Sequence, residues 1–120
     1  MSSPFDLEKW VGRIEDILAA IDRIEAFLDR RSEAVFIKDE ILVSAVTYQL
    51  FIIGEASTHL PPDIAERHPS VPWKEMRGMR NVIAHEYGSV DARIVWQVAT
   101  TNLAPLRLAL LAERDWLTSC

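Results

Sequence analysis

One cysteine, Cys120, is too few for an internal disulfide. That excludes the cross-linked scaffolds of small secreted proteins and fits a reducing cytosol. The four glycines are scattered, so no glycine-rich phosphate loop is present. No apolar run is expected to cross a bilayer, because the best candidate, around Leu50 to Ile53, soon meets Glu55. A secretory signal needs a basic segment and then an apolar one, and the chain offers Ser-Ser-Pro-Phe-Asp instead. Strand signals are weak, Val35-Phe36-Ile37 being too short to support a sheet. Repeats and low-complexity tracts are also missing. The expectation is one cytoplasmic domain over residues 1–120 with no membrane partner.

What the chain does hold is apolar residues at helical spacing, with 49% hydrophobic and 26% charged residues. Leu7, Trp10, Val11, Ile14, Ile17, Leu18, Ile21, Ile24 and Leu28 recur every three or four positions, which predicts a long helix ending near Arg30. Ser3-Pro4 supplies its N-cap and first helical position, with Asp6 aiding the start. A second helix is predicted from about Lys38 to Leu60. Its apolar residues surround most of its circumference, so part of that surface should meet a partner. Pro61-Pro62 ends it, and Asp63 to Arg67 is expected to form one short turn. Pro72-Trp73 opens a third helix, expected to close near Tyr87 with Gly88 in the left-handed position. Asp91 should cap the last helix, which Pro105 should kink or divide. The predicted architecture is all-α, an up-and-down four-helix bundle with a kinked or split C-terminal helix.

Residues 73–91 break this regularity with charged, aromatic and imidazole groups. On a helix of about 100° per residue, Trp73, Met76, Ile83, Ala84 and Tyr87 share an apolar face with Arg80 near its middle. A guanidinium there needs a carboxylate, carbonyls or an anionic ligand. Glu55 is the best candidate counter-ion, the alternative being that it points to water from its helix end. His85 lies roughly 140° around the helix from Arg80, beside Asn81. The two meet only if Arg80 reaches around, the helix unwinds near His85, or a second subunit completes the site. The net charge of −5 argues against broad attraction to nucleic acid. Between Arg67 and Arg93, however, five basic residues stand against three acidic ones.

The run Arg80-Asn81-Val82-Ile83-Ala84-His85-Glu86-Tyr87 resembles the R-x4-H-x-Y signature of the HEPN superfamily, and specifically its HepT-like toxins. Gly54-Glu55-Ala56, His68-Pro69, Gly78-Met79 and Val90-Asp91 through Trp96 extend the resemblance over most of the chain. It implies a HEPN-like homodimer with an RNA cleft at the subunit interface. The implied activity is that of a toxin, a metal-independent endoribonuclease acting on tRNA or mRNA. It also implies a nucleotidyltransferase antitoxin that adenylylates Tyr87, whose anionic AMP would occupy the place of substrate phosphate.

In that chemistry His85 moves a proton at the ribose 2′-hydroxyl or the departing 5′-oxygen. Arg80 holds the phosphate by paired hydrogen bonds, with Asn81 and Glu55 in support. One imidazole cannot readily be both base and acid at one phosphate, which again calls for a dimer. The alternatives are a non-catalytic module that docks the nucleotidyltransferase, or a structural helical dimer in which Arg80 pairs with Glu55 and His85 is a surface group. Glu55 and His59 have a spacing that can share a metal, but no second carboxylate–histidine pair exists, so neither metal nor cofactor is expected. Trp10, Trp73, Trp96 and Trp116 read as core or interface anchors.

Overall fold

The computed structural model describes residues 4–119, with the side chains of Pro4, Phe5 and Tyr87 outside the description. Ser3, expected as a cap, and Cys120 therefore lie outside the described residues. Those residues are all-helical: α1 (Pro4–Leu28), α2 (Glu33–Phe36), α3 (Glu40–Thr58), α4 (Pro62–Arg67), α5 (Trp73–His85), a 3-10 turn (Tyr87–Ser89), α6 (Ala92–Thr101) and α7 (Leu103–Thr118).

The helix boundaries follow local chemistry. Arg30 takes a left-handed backbone, φ 59°, after the end of α1, and Arg31 N–H returns to the Leu28 carbonyl at 3.0 Å. Ser32 caps α2 by accepting from Val35 N at 3.2 Å, so the segment too short for a sheet forms a single helical turn instead. Asp39 caps α3 through Leu42 N at 3.0 Å, and Asp91 caps α6 through Arg93 N at 2.9 Å. The expected turn after Pro61 is α4. Pro105 is the third residue of α7, where its missing N–H costs nothing. The break falls just before it at Asn102, and α6 and α7 meet there at a bend of 44°.

The core joins Ile14, Ile17, Ile21 and Ile24 of α1 to Val46, Leu50 and Ile53 of α3. Met76, Met79 and Ile83 of α5 and Leu103, Leu106 and Leu110 of α7 complete it. Each such side chain is worth about 1.5–3 kcal/mol when fully buried. Phe36 and Trp96 meet at 5.4 Å between ring centroids, which ties α2 to α6. α3 is the central element, packed on α1, α5 and α6. Among the described residues it is also the one single helix long and apolar enough by composition to cross a bilayer, correcting the expectation that Glu55 interrupts it too early. Glu40 and Glu55 lie near its two ends, and its buried face is accounted for by its neighbours.

An ion pair between a buried carboxylate and a half-exposed arginine clamps α4 to α7. Glu113 is 6% exposed and accepts from Arg67 Nε at 3.1 Å and from Arg67 Nη2, with His68 Nε2 3.3 Å away. Burial pushes the Glu113 carboxyl up, but the contacts with Arg67 and His68 outweigh it and hold the group below the ordinary carboxylate value. A lowered folded-state pKa stabilises above the unfolded value, and that contribution disappears as pH falls through the lowered one. Glu113→Gln is therefore expected to cost about 1–2 kcal/mol near neutral pH, Arg67 being half-exposed and able to hydrate. Thermal melts of both proteins should converge as pH falls below roughly 4. A gap that stays constant down to pH 3 would contradict the assignment.

Candidate functional site

Gly54 sets the spacing at which α5 crosses α3. A Cβ there would stand 2.5 Å from Arg80 Cβ and 3.2 Å from the Met76 carbonyl oxygen, so only glycine allows this approach. The close crossing lays the Arg80 stem over α3. Its guanidinium then meets Glu55, Nε to Oε1 at 3.3 Å and Nη2 to Oε2 at 3.3 Å, while Nη1 donates to Asn81 Oδ1 at 3.3 Å. The Phe51 ring lies beneath, 5.5 Å from Arg80 Cζ. The fork is thus oriented from three sides yet stays 27% exposed, with Glu55 at 40%. Phe51 carried no role in the sequence reading, although it lies one turn before Glu55 on the same face of α3.

α5 ends sooner than expected. His85 is its last residue, Glu86 leaves helical geometry at φ −132°, and the 3-10 turn follows. Gly88 does not adopt a left-handed backbone, because Ser89 N–H closes the turn on the Glu86 carbonyl at 2.9 Å. The Ala84 placement is corrected too: it is exposed, and Met79 takes the buried place beside Met76 and Ile83. His85 is exposed, and among the described residues its imidazole has no side-chain partner. The structure therefore brings Arg80, Asn81 and Glu55 together and leaves His85 a turn further on, at the helix end. Tyr87 begins the 3-10 turn, and its side chain lies outside the described residues.

Charge on α5 is segregated by face. At about 100° per residue, Lys74, Arg77, Arg80, Asn81 and His85 fall within one arc of roughly 140°. Lys74, Arg77, Asn81 and His85 are exposed and Arg80 is partly so. Glu75 and Glu86 lie on the opposite side of the helix, bordering α6. The acidic chain thus presents a local cationic stripe flanked by an imidazole, which suits a phosphate-bearing ligand. Among the described residues no three His, Cys, Asp or Glu side chains are grouped to hold a metal ion.

The family model of the description Ribonuclease HepT-like matches residues 17–112. The chain is 38% identical over 94 residues to a protein named as a probable ribonuclease HepT from Thermococcus cleftensis, covering 78% of this chain and 86% of that one. Two further relatives are named provisionally as RNases. One, from Caldanaerobacter subterraneus, is 44% identical over 71 residues, or 59% of this chain and 63% of its own. The other, from Methanocaldococcus jannaschii, is 34% identical over 92 residues, or 77% and 84%. No solved structure matches.

Proposed function

This chain belongs to the Ribonuclease HepT-like family, and from that premise we propose that it is a metal-independent endoribonuclease whose site is built from Arg80 and His85. The observation that carries the reading is the exposed cationic stripe of α5, where Glu55 and Phe51 hold the Arg80 fork and His85 ends the helix with its imidazole unengaged. Arg80 offers donors to a phosphate and to the negative charge that grows on its oxygens during attack. Glu55 orients it from behind.

The ribose 2′-oxygen attacks phosphorus while one imidazole takes the 2′-hydroxyl proton. The bond to the 5′-oxygen breaks, and a second imidazole returns a proton to that oxygen. The products are a 2′,3′-cyclic phosphate and a 5′-hydroxyl, and no water is consumed. The second imidazole is His85 of another copy. The uncovered stripe of α3 favours such pairing: Ile41 is 84% exposed and Tyr48 58%, and the stripe continues through Ile52 and Phe51 to the Arg80–Glu55 pair. In this reading α1, α3, α5 and the bent α6–α7 pair are the four helices of a HEPN-like bundle, and a two-fold axis along α3 sets two sites beside one RNA groove.

Cleavage of tRNA or mRNA in EDTA tests the reading. Activity is expected to persist, to leave cyclic phosphate ends, and to stop when the nucleotide before the cut is 2′-deoxy. Cleavage of the deoxy substrate would overturn the mechanism. The same proposal makes the chain the toxin of a pair, silenced when a nucleotidyltransferase transfers AMP to Tyr87. Mass spectrometry after coexpression should find one added AMP at that residue, and an active, unmodified protein would contradict it.

The engagement of Arg80 by Glu55 favours a second reading, a structural pair within a non-catalytic docking module. That reading requires no RNA cleavage at any concentration of the intact protein.

A further inference from the structure

On the side of α5 away from Arg80 runs a second feature that RNA cleavage does not use. α5 and α6 both pack on α3 far more than on each other, leaving an open groove of about 550 Å³ between them. Its floor is apolar, formed by Met79, Val82 and Ile94, and two of these are well exposed, Val82 at 43% and Ile94 at 50%. Every ionisable group that lines it is a carboxylate: Glu75, Glu86 and Asp91. Asp91 is already committed to capping α6. Glu75 and Glu86 are exposed and, among the described residues, have no cationic partner.

We propose that this groove is the docking site for a cationic amphipathic helix of a partner protein. Two facing helices with apolar residues at helical spacing form the seat that a third helix fills, its own apolar stripe downward. Along α5 from Glu75 to its end at His85 the groove runs about 15 Å, room for just under three turns. A rim whose ionisable groups are all carboxylates, with neutral Ser89, Gln97, Thr101 and Asn102 between them, repels phosphodiester and selects lysine or arginine flanking the apolar stripe, so the occupant is protein and not RNA. One helix thus serves two ligands, with phosphate on its basic face and a basic protein segment on its acidic one. The inference stands whether or not the chain cleaves RNA.

The test measures fluorescence anisotropy of a labelled helical peptide of about 14 leucine and lysine residues, against the same pattern in leucine and glutamate. The intact protein should bind the first and ignore the second. Glu75→Lys with Glu86→Lys should weaken binding about tenfold or more, and Ile94→Asp should do likewise. Glu8→Lys with Asp16→Lys makes the same change in net charge on exposed α1 positions, and should alter binding by less than about twofold. Melting curves check each variant, and Val82→Asp replaces Ile94→Asp if the latter fails to melt cooperatively. Equal weakening by both charge-reversed pairs would reduce the effect to net charge and overturn the proposal. Absence of binding or equal binding of the glutamate peptide would overturn it too. An RNA oligomer that displaces the peptide from the groove would assign the groove to nucleic acid instead.

Discussion

His85→Ala is expected to lower the rate of RNA cleavage about 10²–10⁴-fold, the range lost when a general acid or base is removed, with the fold intact. Its imidazole is exposed and, among the described residues, makes no hydrogen bond, ion pair or ring contact, so stability should change by no more than an ordinary surface substitution allows, about 0.5 kcal/mol. Arg80→Ala should cost about 10²–10³-fold in rate through lost transition-state charge stabilisation. It differs in stability, because it also deletes the contacts with Glu55 and Phe51. That pair is partly solvated, so the cost is about 1 kcal/mol. Arg80→Lys keeps the charge but not the two-pronged geometry, and should recover little of the rate. Single-turnover cleavage beside thermal melts separates these effects. Wild-type activity in His85→Ala would end the assignment of that imidazole, and wild-type activity in Arg80→Ala would leave the arginine a structural residue.

Gly54→Ala is expected to lower both stability and activity, although it lies in a helix. Helix propensity alone predicts the opposite sign, since alanine is favoured over glycine by about 1 kcal/mol in a helix interior. Packing decides against it. The added carbon would meet Arg80 Cβ at 2.5 Å and Met76 backbone oxygen at 3.2 Å, neither of which yields by rotating a side chain. α5 must instead move off α3, and overpacking of this kind costs about 1–3 kcal/mol. Less the propensity gain, the net cost is up to about 2 kcal/mol, which for a domain of this size corresponds to a fall in melting temperature of up to roughly 8 °C. The same movement withdraws Arg80 from Glu55 and Phe51. A displacement of about 1 Å can cost on the order of 10²-fold in rate, with substrate binding affected as well. A raised melting temperature in this variant would mean that the helices already have slack at their crossing.

The amino-acid sequence by itself determined where the long helices lie and what starts or stops several of them, though not the short α2 or the early end of α5. Those features depend on neighbours a few residues apart: Asp91 caps its own helix, Pro61-Pro62 ends α3, and Pro105 enforces the break that separates α6 from α7. Arg80 also announced its need for a counter-ion, and Glu55 was the acidic residue placed to supply one. Tertiary structure alone decided the rest. Gly54 matters because it faces Arg80 across a sequence separation of 26 positions, and Glu113 because Arg67 meets it from 46 positions away. Phe51 beneath the guanidinium and the acidic groove between α5 and α6 likewise exist only once α3 has taken helices on several sides. Periodicity states which face of a helix is buried. Which partner covers it, at what distance and with what left open, is set by close packing among all the helices together.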